Sequence, residues 1–235
     1  MSLLGLVAPV SDVSGGRSTP TTDTGGTFVA TNPTAGTGII SSTPITLAAA
    51  ATAPTMVVVN GNAPNSNINI YPLYLKLVET AASTGGTQLN FQFHLDTVNR
   101  YVSGGTILST QNTLSGSNIQ SKAVIAFGAV TASAVNADKF ISGNLRCRVG
   151  FIDILGDKLE FTWGTPSLSL SIPFQTVATI GNYQFGLHSC AIQPGHSMVF
   201  TIWQPTTFTT GVTYELEFGY LEKSHVSSWL SGSSF

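Results

Sequence analysis

The sequence predicts an all-β protein: an antiparallel β-sandwich, jelly-roll-like in its winding, preceded by an extended N-terminal arm. Three observations carry that expectation. From Thr55 onward apolar residues recur with period two, which puts alternate side chains on opposite faces of a strand. Gly, Pro and Asn interrupt these segments at regular spacing, the layout of sandwiches and jelly rolls. Helical signals are nearly absent, and the best candidate, Ala129 to Lys139, is short and reads equally well as a loop.

Along the chain, Leu73, Leu75 and Leu77 alternate with Tyr74, Lys76 and Val78. Pro72 is expected to start that strand or to mark an edge, because proline donates no ladder hydrogen bond. Thr80 to Gly86 holds the glycines of a hairpin return into Thr87–Asp96. There Leu89, Phe91, Phe93 and Leu95 share one face, and Gln88, Asn90, Gln92, His94 and Asp96 the other. Ala123 to Val130 is small and apolar; Leu145, Cys147, Val149 and Phe151 lie opposite Arg146 and Arg148. Leu155-Gly156-Asp157-Lys158 reads as a tight turn into Leu159, Phe161 and Trp163. Leu168, Leu170 and Ile172 alternate with serines, and Tyr183, Phe185 and Leu187 begin another strand. Met198, Phe200 and Ile202 lie opposite Val199, Thr201 and Trp203. Val212, Tyr214, Leu216, Phe218 and Tyr220 alternate with Glu215 and Glu217. About eight or nine strands are expected in the body.

Three segments follow: an arm over 1–54, a sandwich body over 55–223 and a tail over 224–235. The arm is Ser, Thr, Gly, Pro and Ala with Asp12, Arg17 and Asp23 as its charges and few large side chains. Alone it cannot bury enough apolar surface to offset its ordering entropy. It therefore lies along neighbouring subunits or on its own domain. Deleting residues 1–50 is expected to leave the body folded but to abolish stable incorporation into the assembly. Leu3, Leu4, Leu6, Val7, Phe28, Ile39 and Ile40 are its candidate anchors; Trp229, Leu230 and Phe235 are those of the tail.

Only 9% of the 235 residues are charged, against roughly 25% in ordinary soluble proteins. Mean hydropathy is +0.25. A free monomer keeps itself soluble with a mixed charged surface. A surface of Ser, Thr, Asn and Gly is easier to desolvate and suits burial in contacts. With a net charge of −2 and no cationic cluster beyond Arg146 and Arg148, direct nucleic-acid binding is not expected. No apolar run approaches a membrane span, and the start lacks the basic region of a signal peptide. Asn-x-Ser/Thr occurs only as Asn32-Pro33-Thr34, which proline excludes as a glycosylation acceptor. Cys147 and Cys190 form no disulfide framework and read as buried thiols.

Candidate chemistry is sparse. His188, Cys190 and His196 could approach one another across a Pro-Gly turn, but a fourth ligand is missing, and strand and turn packing is the alternative. His94 and Asp96 share a face, with Asp153 and Asp157 elsewhere. No Gly-x-Ser-x-Gly elbow accompanies them, and no enzyme, metal or cofactor is expected. Glu215 and Glu217 resemble a glycosidase carboxylate pair only superficially, since such pairs face each other across a cleft; two like charges more often keep an edge strand soluble. Gly85-Gly86 and Gly104-Gly105 read as turns. Trp163, Trp203, Trp229, Tyr71 and Tyr74 are candidates for a sugar-stacking platform, although Trp163 and Trp203 sit in core-like strands.

The arm, the charge-poor body and the short tail ending in Trp229, Leu230 and Phe235 together resemble a virion structural protein, of the capsid or head-decoration (cement) type found in bacteriophages. The resemblance covers layout and composition and rests on no motif. It implies a homo-oligomeric assembly whose partners are copies of the chain and other virion proteins, located in the virion and assembled in the host cytoplasm, with no small-molecule substrate. The alternative is a carbohydrate-binding or adhesion module on a cell or virion surface.

Overall fold

The computed structural model describes residues 26–41, 52–81, 90–134, 141–146, 155–164, 182–203 and 212–224. They form thirteen strands: β1 Thr27–Thr31, β2 Ile39–Ile40, β3 Met56–Asn60, β4 Ile68–Ala81, β5 Asn90–Asp96, β6 Tyr101–Ile107, β7 Ser109–Asn112, β8 Ala123–Ala132, β9 Ile141–Arg146, β10 Lys158–Trp163, β11 Asn182–Leu187, β12 Ser197–Trp203 and β13 Thr213–Ser224. Among the described residues there is no helix, and so none long and apolar enough to cross a membrane.

Two sheets face each other. One has the order β11-β10-β4-β13-β1-β7, with β2 paired to the start of β13; the other runs β6-β8-β3-β12-β5-β9. Every pair is antiparallel except β10–β11, which is parallel with Phe161 opposite Phe185. The core between the sheets is aromatic. Phe93 stacks on Phe200 at 4.4 Å within one sheet and meets Trp163 of the other edge-on at 5.2 Å. Phe91 meets Phe161 at 5.1 Å in the same manner. The period-two leucines, phenylalanines and tyrosines of β4, β5, β10, β12 and β13 supply this interior, as their alternation dictates.

The outer face of the six-stranded sheet has a cover of its own. Val57, Val59 and Val199 point away from the aromatic core, yet pack into a second buried cluster with Val130, Ala132 and Tyr101. Phe127 of β8 pairs with Met56, whereas Ser133 touches Arg100, whose amide donates to Ser197 beside Val59. The second half of β8 therefore doubles back over its own sheet and carries β6 with it. Gly128 in β8 (φ 101°) and Gly104 and Gly105 in β6 (φ 75° and 70°) sit where the ribbon folds, in a backbone region that residues with a Cβ avoid. Gly104 and Gly105 are thus a bulge inside a strand rather than a turn.

Several expectations change. Ala129–Ala132 belongs to β8, because pairing with β6 outweighs the local helix preference of alanine. Pro72 lies inside β4, at the bulge opposite Gly219 and Tyr220, where its missing N–H leaves no gap in a regular ladder. β4 and β5 belong to different sheets, so the connection between them is not a hairpin. The stretch 26–41, which composition groups with the arm, supplies β1 and β2 to the body; β1 lies between β13 and β7 and buries Phe28 against Tyr220. Residues 1–25 and 42–51 of the expected arm, and the tail from 225 on, lie outside the described residues, as do Leu168, Leu170 and Ile172.

Candidate functional site

With the six-stranded sheet capped by its own ribbon, the open face of the sandwich is the outer face of the seven-stranded sheet, and its ionised groups form a ladder. Lys76 of β4 lies opposite Glu160 of β10 on one side and Glu217 of β13 on the other. Lys76 Nζ is 4.0 Å from Glu217 Oε2, and Lys158 Nζ is 3.2 Å from Glu160 Oε2. The Tyr74 hydroxyl donates to Glu217 Oε1. Burial, this hydrogen bond and the neighbouring carboxylates hold the Tyr74 phenol above its usual pKa, so it stays a donor.

Tyr74 reaches Glu217 because residue 219 is glycine. A Cβ there would lie 2.2 Å from Tyr74 Cε1, so the ring lies across bare backbone of β13. Glu217 also lines a cleft of about 260 Å³ between the β1–β2 turn and the sheet, together with Thr31, Asn32, Lys76, Val78 and Glu215 among others. Asn32 fixes that wall: its Nδ2 donates to Thr37 O at 2.8 Å, and its Oδ1 accepts from Leu216 N at 3.0 Å. The Gly36 amide donates to Glu215 Oε1 at 2.9 Å. Glu215 and Glu217 therefore lie on an interior strand and line a cleft, rather than protecting an edge.

A second polar cluster closes one end of the sandwich. Tyr220 donates to Ser121 Oγ at 2.6 Å, and Ser121 donates to Glu222, which also accepts from Lys122 N at 3.1 Å and Asn62 Nδ2 at 3.3 Å. Ser121 Oγ further accepts from Ala123 N at 2.9 Å, so its bonds tie loops together and leave no lone pair aimed outward as a nucleophile.

Other sequence candidates separate. His188 and Cys190 follow β11 rather than lying on it, and His196 belongs to the turn before β12. Among the described residues no group of three His, Cys, Asp or Glu could hold a metal ion. Cys190 packs partly against the core; Cys147 lies outside the described residues. Asp96 pairs with Arg100 at 3.6 Å and leaves His94 half-buried beside them; Asp157 is buried, and Asp153 is outside the described residues. Trp163 is core, while Tyr71 accepts a hydrogen bond from Asn69. Of the proposed anchors, Phe28 and Ile39 pack in this chain's own core and Ile40 is 53% exposed; Leu3, Leu4, Leu6, Val7, Trp229, Leu230 and Phe235 lie outside the described residues. Sequence reading missed the Lys76 ladder and the Tyr74–Gly219 contact. A lone glycine inside an alternating strand was the available signal for the latter.

Comparison of the chain with protein-family models, with curated proteins and with solved structures found no match in any of the three.

Proposed function

We propose that this chain is a virion structural protein, of the bacteriophage capsid or head-decoration type, which builds or stabilises a shell through contacts of its sandwich body and N-terminal arm. The observation that carries the reading is the charge deficit, 9% of residues. Its location supports the reading further: β6, β7 and β8 hold no Asp, Glu, Lys or Arg, while Val102, Ile107 and Val124 on them are 60%, 46% and 37% exposed. Free edge strands are ordinarily guarded by charge. An uncharged edge with exposed aliphatic groups suits a lateral contact between copies. We read the winding as jelly-roll-like, since β12 returns beside β3 and β13 beside β4, joining both ends of the body in both sheets.

In this reading the arm before Gly26 adds contact area on a neighbour. An arm burying ~1,000 Å² contributes a gross ~25 kcal/mol, much of it offset by ordering and association entropy. Repetition at several points per subunit compounds the remainder. A truncation that tests this must stop before Gly26 rather than at residue 50, because β1 is interior to its sheet. Removal of residues 1–25 is expected to leave a cooperative thermal transition while abolishing particles larger than monomer in sedimentation velocity. A full-length chain that sediments as a monomer at every concentration, with or without this segment, defeats the proposal.

A further inference from the structure

We propose that the cleft lined by Lys76, Glu215 and Glu217, together with the Tyr74 ring whose hydroxyl donates to Glu217, is a binding site for a saccharide, specifically a neutral or amino sugar. The inference does not rest on a virion role. Three features coincide on the open face. Tyr74 presents a ring held flat across Gly219, the kind of surface on which the C–H face of a pyranose stacks. Next to the ring, Glu217 and Lys76 offer acceptor and donor together, and with side chains 39% and 35% exposed both are reachable. Paired acceptors and donors of this kind engage vicinal hydroxyl groups. The cleft continues from them past Thr31 to Glu215, with Val78 as an apolar part of its wall.

Size and charge narrow the ligand. About 260 Å³ lies just below the ~300 Å³ at which small-molecule clefts begin, room for a single ring rather than a long chain. Two carboxylates against one ammonium make the lining net negative, which attracts an ammonium substituent and repels a uronic acid. Glu217 is already oriented by Tyr74, and Glu215 by the Gly36 amide, so neither needs ordering on binding.

Saturation-transfer NMR on the full chain, with D-glucosamine, D-galactose, N-acetyl-D-glucosamine and D-glucuronate as separate probes, tests the site. Transfer is expected to glucosamine and at least one neutral sugar and not to glucuronate. Tyr74→Ala and Glu217→Gln should each weaken binding tenfold or more at an unchanged thermal midpoint. If Tyr74→Ala does not fold, Lys76→Gln with Glu217→Gln carries the same expectation. No transfer to any of the four sugars, transfer to glucuronate equal to that of glucosamine, or binding indifferent to these substitutions overturns the assignment.

Discussion

Among the described residues Arg100 is the largest side chain wholly withdrawn from solvent, and both it and Asp96 show 0% side-chain exposure. Its Nε donates to Ser133 O at 2.9 Å and lies 3.6 Å from Asp96 Oδ2, so one guanidinium joins the end of β5 to the folded-back end of β8. A buried pair of this kind adds little over an apolar substitute, but removing one partner strands the other charge. Arg100→Met is expected to cost about 3–5 kcal/mol in urea denaturation, and the Asp96→Leu/Arg100→Met double variant to recover most of it. A single-variant loss below about 1 kcal/mol contradicts this account. His94 reports on the same spot. Burial first and the Arg100 charge second lower its pKa below the ordinary value, with Asp96 opposing. The unfolded chain therefore binds the extra proton first as pH falls below about 6.5, and stability must decline on the acid side of that point. Chemical denaturation at pH 7.5 and pH 5.5 should show that decline, and His94→Gln should flatten it; equal slopes in both proteins argue against a depressed His94. Period two placed His94 and Asp96 on one face, but the buried cation opposite them was invisible, because Arg100 stands in an irregular turn.

At the scale of elements, the strands most legible in the sequence were those with one buried and one polar face. β5, β10 and β13 alternate cleanly and appear where the alternation put them. β6 and β7 were missed because Tyr-Val-Ser-Gly-Gly-Thr-Ile and Ser-Thr-Gln-Asn lack an apolar face of their own; they are made by pairing at the edge. β1 was grouped with the arm because Thr-Phe-Val-Ala-Thr is short and set among turn residues, and its pairing partners lie at positions 109–112 and 217–221. The parallel register of β10 and β11 is equally unreadable, since a strand's direction leaves no mark on its alternation. The fold in the β6–β8 ribbon depends on its glycines. Alanine at 128 would take a φ of 101° and set its Cβ 2.9 Å from Ile40 O. Gly128→Ala is accordingly expected to cost at least 1–2 kcal/mol by thermal unfolding. A variant as stable as the parent shows that the ribbon can fold back without that backbone geometry.

For the whole molecule, the charge deficit was legible from composition alone, but its distribution was not. Five of the described ionised groups, Lys76, Lys158, Glu160, Glu215 and Glu217, share the outer face of one sheet, and Asp96 and Arg100 are buried. Only strand pairing brings positions 76, 160 and 217 side by side. This distribution bears on how copies would associate. Contacts along β6 to β8 hold no ion pairs to screen, so assembly should persist, or strengthen, from low salt to about 1 M, where the Debye length shrinks to about 3 Å. Sedimentation across that range is the check; dissociation by salt places the contact on the charged face instead.

Leu108 has a mechanical consequence. It is the single buried residue between β6, at the edge of one sheet, and β7, at the edge of the other, so one uninterrupted stretch of chain stitches both layers along that side. On the far side β9 and β11 are outermost, and the described connection there, residues 188–196 from β11 to β12, is nine residues long rather than one. The molecule is thus bound like a book with its spine at Leu108, and on the fore-edge the two pages are held together by side-chain packing such as Phe91 against Phe185 at 5.8 Å.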